Sequence, residues 1–159
     1  MPNKNESGRS MIEMMGVLAV MTIITIAAFT MVPNLMKNQK KLQVRDEVSL
    51  MVQNVRMLMS EYEDFSNIES SIIFGAIGMS KKNPYGGEYE IFPDAGNPRQ
   101  FVVGIGGLSE DDCKYFRMMG WKDSIEYLKS DGKRGGAIAE PSDCSDPYGN
   151  NKIMISFGQ

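Results

Sequence analysis

The residues whose spacing could carry chemistry fall in two places. The first is the stretch Gly8-Arg9-Ser10-Met11-Ile12-Glu13-Met14-Met15, which sets a glycine and a lone carboxylate five residues apart at the lip of an apolar run. An ionised carboxylate at the edge of hydrocarbon costs several kcal/mol unless a cation or the headgroup region receives it. Glu13 therefore calls for a partner. The second place is the pair Cys113 and Cys144, the only cysteines in the chain. An even count with no leftover thiol fits one bridge if the compartment is oxidising; two buried free thiols are the alternative. Zinc is a poor fit, because two cysteines without a histidine lack the usual ligand set.

The absence of histidine from the sequence also excludes His-based triads and His-ligated metal sites. Gly104-Ile105-Gly106-Gly107 lacks the length of a dinucleotide fingerprint and the lysine of a P-loop, so it reads as a loop joining strand to helix. The run Asp143, Cys144, Ser145, Asp146 with Asn150 and Asn151 clusters oxygen ligands of the kind calcium takes, yet the same residues are ordinary turn formers. The turn reading is preferred, and no metal or other cofactor is expected. The basic group Lys37, Lys40, Lys41, Arg45 could meet lipid headgroups or DNA; a solvated or headgroup-facing helix end is the simpler reading. With a net charge of −3, the chain shows no domain-wide footprint for nucleic acid. No catalytic constellation emerges, and an enzyme is not expected.

The elements that must position these residues begin with the apolar run. Met14 to Val32 is 19 residues without a charge; as a helix it is about 28 Å long, close to the hydrocarbon thickness of a bilayer. It departs from a secretory signal, since the preceding segment is short and polar and no small-residue exit site follows. The flanking cations, Lys4 and Arg9 before and Lys37 to Arg45 after, run against the positive-inside rule, which weakens for long exported domains. Pro33 follows the run, as a kink or a membrane exit. Beyond it Val44, Val48, Met51, Val52, Val55, Leu58, Met59 and Tyr62 recur at spacings of three and four, predicting a helix over 34–64 with one apolar stripe. The 14 methionines, mostly on helices, read as adaptable packing residues.

From Phe65 onward, turns and short apolar runs take over. Ile72-Ile73-Phe74 is too short to assign to helix or strand. Asn83-Pro84-Tyr85-Gly86-Gly87 is a turn cluster. Strands are predicted at Glu88–Phe92, Gln100–Ile105 and Lys152–Phe157. Between the last two a short helix should start at a Ser109 cap, carry Glu110-Asp111-Asp112 in its first turn, put Cys113 and Phe116 on its inner face, and stop at Gly120. Residues 130–149 are turn-rich, as surface loops that carry contacts often are.

The stretch Gly8 to Phe29, GRSMIEMMGVLAVMTIITIAAF, resembles the processing site and first helix of type IV prepilins and the related pseudopilins. The order of a strand, GLSEDDC with a helix, then Cys144 before a final strand also looks like the head of type IVb-like pilins. The resemblance implies a leader over 1–8, cut by a prepilin peptidase after Gly8, and N-methylation at Arg9, where the family usually has Phe or Met. It implies a long helix over 9–64 with its membrane segment at about 14–32, and a globular head over 65–159. The implied fold is α+β, the helix packed on a small antiparallel sheet with a disulfide-bridged C-terminal region joining Cys113 to Cys144. Glu13 takes the family's glutamate at the fifth mature position, the residue for filament assembly. The subunit would wait in the bacterial inner membrane with its head in the periplasm, then enter a surface pilus. Its partners would be further copies of itself, other pilins, the peptidase, and the assembly platform with its ATPase. A pseudopilin of a type II secretion system is the alternative, and a membrane-anchored periplasmic binding domain a more distant one.

Overall fold

The computed structural model describes residues 5–128 and 144–158. The chain divides into two compact units, Met1–Gln39 and Lys40–Gln159, with helix α1 (Asn5–Leu58) contributing to both. This helix begins before the predicted start at residue 9 and ends before 64. At its end the Ser60 N–H donates to the Met57 carbonyl at 3.3 Å and the Ser60 hydroxyl takes the same acceptor at 2.8 Å. That tightened turn stops the helix, so Tyr62, expected on the buried stripe, is 55% exposed.

In the second unit, α2 (Ser70–Ile77) and α3 (Glu110–Met118) accompany a four-stranded sheet. Its strands are β1 (Tyr89–Pro93), β2 (Gln100–Leu108), β3 (Ser124–Leu128) and β4 (Asn151–Gly158). They lie in the order β1-β2-β4-β3, and every neighbouring pair is antiparallel. The C-terminal strand is thus central, paired with β2 through Val103↔Ile155 and with β3 through Tyr127↔Ile155.

Strand alternation sorts the side chains. Phe101, Val103 and Ile105 of β2 and Ile153, Ile155 and Phe157 of β4 join a core with Val44, Val48, Met51, Val52 and Val55 of α1. Phe101 is at its centre, with ring centroids 4.9 Å from Phe65 and 5.9 Å from Phe157. The alternate residues Val102, Leu128 and Met154 form a smaller buried cluster.

The apolar run at Ile72 resolves as α2, which ends at Gly78 with φ of 64° and the Gly78 N–H bonded to the Phe74 carbonyl. That left-handed cap suits glycine. Helix α3 is capped as predicted: the Ser109 hydroxyl accepts from the Asp112 N–H at 3.2 Å and donates to the Asp112 carboxylate at 2.7 Å. Its C-cap is Met119 in an extended conformation, so Gly120 lies just beyond the stop.

The reading of Gly104–Gly107 as a loop is corrected, because all four residues lie in β2. A register shift between Ile105 and Leu108 accommodates Gly107, whose φ is 73°. The turn backbone at Gly87 and the β2 backbone at Gly106-Gly107 come so close there that a Cβ on Gly87 or Gly107 would collide with the facing backbone. Glycine in this strand marks a bulge and a close approach.

Candidate functional site: an exposed apolar helix and a pinned globular unit

In the first unit the surface itself is unusual. Every large apolar side chain named from Met11 to Met36 is at least half exposed, with Phe29 at 76%. The apolar window reaches a mean hydropathy of 2.3 and none of it is buried within the chain. This helix is long and apolar enough to cross a membrane. Its hydroxyls suit that surface. Thr22 donates to the Leu18 carbonyl and Thr25 to the Met21 carbonyl, each at 2.7 Å, so neither donor is left unpaired on that apolar surface.

Gly8 and Arg9 lie in the first turns of α1, and Glu13 follows one turn beyond Arg9 in the same continuous helix. Positions 9 and 13 therefore share a face, about 6 Å apart along the axis. Glu13 is exposed. It stands at one end of a shallow groove of about 430 Å³ lined by Gly16, Val17, Val20, Met21 and Ile24. At Gly16 an added Cβ would meet nothing within 4 Å, so the helix surface there is open.

The second unit holds the cysteines. Cys113 on α3 and Cys144 just before β4 form a disulfide with Cα atoms 5.7 Å apart, and both residues are essentially buried. One of the two readings left open by the cysteine count is thereby settled. Residues 129–143 of the enclosed segment, including Asp143 of the calcium reading, lie outside the described residues. The rest of that reading resolves into a turn. Asn151 accepts from the Asp146 N–H at 2.9 Å and donates to the Asp146 carbonyl at 2.8 Å and to the Leu108 carbonyl at 3.1 Å. Asp146 in turn accepts from the Tyr148 N–H at 2.7 Å. Among the described residues no group of His, Cys, Asp and Glu is arranged to hold a metal ion.

The basic group after Pro33 is corrected in part. Lys41 sits 3.5 Å from the Asp112 carboxylate and 4.2 Å from the Tyr115 ring centroid, and Lys40 lies over the Tyr85 ring at 5.7 Å. These two lysines fasten α1 to α3 and the Asn83–Gly87 turn, while Lys37 and Arg45 remain exposed. Burial, and then the nearby Asp112 carboxylate, hold the Tyr85 hydroxyl protonated well above the usual phenol range. Burial also raises Tyr89, whose hydroxyl donates to Glu47 of α1 at 2.6 Å. Sequence patterning missed this second tie, because a Tyr–Glu pair 42 residues apart leaves no local signal.

The chain is thus an α+β protein, a long N-terminal helix whose later half packs on an antiparallel sheet with a disulfide-pinned C-terminal strand. Among solved structures it is similar to TcpA, a type IV pilin from Vibrio cholerae El Tor biotype, over 76% of this chain and 99% of that one, at 13% identity and a TM-score of 0.48. The sequence matches no protein-family description and no curated protein.

Proposed function

We propose that this chain is a type IV pilin-like subunit, anchored in a membrane by α1, cut after Gly8, and then polymerised through that helix. The observation that carries the reading is the wholly exposed apolar surface from Met11 to Met36, entered through a single carboxylate at Glu13 five residues after Gly8. Such a surface is stable only in hydrocarbon or against other apolar helices. A filament of staggered copies supplies the second environment once the membrane has supplied the first.

Cleavage after Gly8 makes a new ammonium at Arg9, four residues from Glu13. In a helix bundle that cation from one copy can meet the carboxylate of its neighbour, which removes two desolvation penalties and sets the axial register. The Arg9 side chain adds a second cation, and methylation of the Arg9 amine belongs to the same processing step. The cutting enzyme is a prepilin peptidase, and an assembly platform with its ATPase lifts the subunit into a pilus with sibling pilins. The test is Glu13→Val in cells lacking the wild-type chain. Cleavage and membrane insertion stay near normal while filaments disappear from shear fractions. Normal filaments from that variant would reduce Glu13 to a flanking charge.

A further inference from the structure

A cleft opens on the second unit between α1 and the segment that joins α3 to β3. Its larger lobe, about 340 Å³, is lined by Arg45, Ser49, Met119, Gly120, Trp121 and Lys122. A smaller lobe of about 80 Å³ shares Ser49, Trp121 and Lys122 and adds, among charged residues, Arg56 and Asp123. Those two answer each other. Arg56 lies 3.4 Å from the Asp123 carboxylate, and its Nε donates to the Gly158 carbonyl at 2.7 Å. The larger lobe has no such balance. Its two charged residues, Arg45 and Lys122, are both basic and exposed, and neither has an ion-pair partner among the described residues. Asp46 follows Arg45 in sequence, but it stands about 100° round the helix and lines neither lobe.

The same lobe holds hydrogen-bond donors that the fold leaves unused. The Ser49 hydroxyl and the N–H groups of Gly120, Trp121 and Lys122 meet no acceptor among the described residues. Their neighbours are engaged: the Met119 N–H donates to the Tyr115 carbonyl at 3.0 Å and the Trp121 indole to the Phe116 carbonyl at 2.9 Å. Successive free N–H groups beside two uncompensated cations suit a bound anion.

We infer that this lobe binds a phosphate-class oxyanion, inorganic phosphate or a phosphate ester, between Arg45 and Lys122. The charge matches, since a phosphate monoester carries about −1.5 to −2 at neutral pH and the lobe offers two unanswered cations. The donors match as well. The Arg45 fork can hold two oxygens and the Lys122 ammonium acts as a point charge. Ser49 and the backbone N–H groups of the 120–122 segment remain for the other oxygens. A carboxylate, with only two oxygens, would leave several of these donors unfilled. The lobe lies at the small end of ligand clefts, in keeping with a single anionic group. All its walls belong to the unit Lys40–Gln159, so the site does not depend on how the chain assembles.

Trp121, the only tryptophan in the chain, lines the lobe and is a built-in reporter. The full-length chain in non-ionic detergent micelles is titrated with inorganic phosphate and with glycerol phosphate at constant ionic strength. Tryptophan emission should change saturably, and the melting temperature should rise with ligand concentration. Arg45→Gln and Lys122→Gln should each weaken binding about tenfold or more, as loss of a charged hydrogen bond does. Lys114→Gln, which removes an exposed cation paired with Glu110 on α3, should leave binding unchanged. Should either lobe variant melt early without ligand, the deciding measurement is whether phosphate still raises its melting temperature; a rise equal to that of the wild-type chain overturns the site. A second arm dopes the micelles with phosphatidylglycerol. Saturation by the soluble phosphates assigns a soluble ligand, whereas saturation only by the doped micelles assigns a lipid headgroup, and either bears out the site. No response of emission or melting in either arm overturns it. So does a response that sodium chloride reproduces, or one that Lys114→Gln weakens as much as Arg45→Gln.

Discussion

Two stretches of one helix pose opposite demands. From Met11 to Met36 of α1 every large apolar side chain is at least half exposed, whereas Val44, Val48, Met51, Val52 and Val55 are at most 5% exposed. In the later stretch the apolar residues off that stripe, such as Leu50 and Met57, stay exposed at 49% and 68%. An apolar surface all around a helix asks for an apolar surrounding, while a stripe asks for one partner. The later stretch finds its partner in its own sheet, and the earlier one finds none within the described chain. That difference separates the stretch that is satisfied within the described chain from the one whose apolar surface is left uncovered there.

The largest expected effect falls on the exposed stretch. If the chain is cut after Gly8 as proposed, Gly8→Val should block that cut, leaving full-length precursor in the membrane fraction and no filaments. Mass spectrometry of the membrane-bound variant reads this directly, and a mature N-terminus at Arg9 in that variant would remove Gly8 from the processing site. The second unit should melt unchanged, because residue 8 belongs to the other unit.

Changes in the second unit should do the reverse, acting on stability before assembly. Phe101 packs against Phe65 and Phe157 with no exposure, so Phe101→Ala should cost about 3–5 kcal/mol by lost burial and the cavity left behind. Denaturant unfolding would measure it, and a loss below about 1 kcal/mol would mean the core collapses around the gap. Cys144→Ser opens a link spanning 31 residues, for which chain entropy gives about 3–4 kcal/mol. Lower subunit abundance and an earlier melt are expected, while thiol labelling of both cysteines in the folded wild-type chain would contradict the bridge. The smallest effect should be at Ser109. Ser109→Ala removes the α3 cap and should cost about 1 kcal/mol, visible as a small shift in the unfolding midpoint with filament yield nearly intact.

Much of this was legible along the chain because it is local. The apolar run needs no partner to be recognised, the α1 stripe repeats within a few turns, and the α3 cap lies within four residues. β2 and β4 began and ended within three residues of their expected bounds. Two elements escaped. The α2 segment has only three large apolar residues in a row, a length that helix and strand share. Strand β3 is five residues long and is entered at Asp123, whose φ of 64° makes a turn without the glycine or proline that would announce it.

By itself the sequence determined the apolar helix with its lone carboxylate, the amphipathic continuation, the cap at Ser109 and most of the strands. These follow from periodicity and from side-chain-to-backbone bonds between near neighbours. Only the tertiary structure decided that β4 lies between β2 and β3 and that Glu47 receives the Tyr89 hydroxyl, while it bore out the Cys113–Cys144 bridge that the resemblance implied. It alone showed that the glycines of β2 serve close packing. At Gly104 the missing side chain leaves room for Lys152 of β4 to reach across and pair with Glu90 of β1. Such choices depend on which surfaces meet after the chain has folded back on itself, and residues tens of positions apart carry no periodic trace of their meeting.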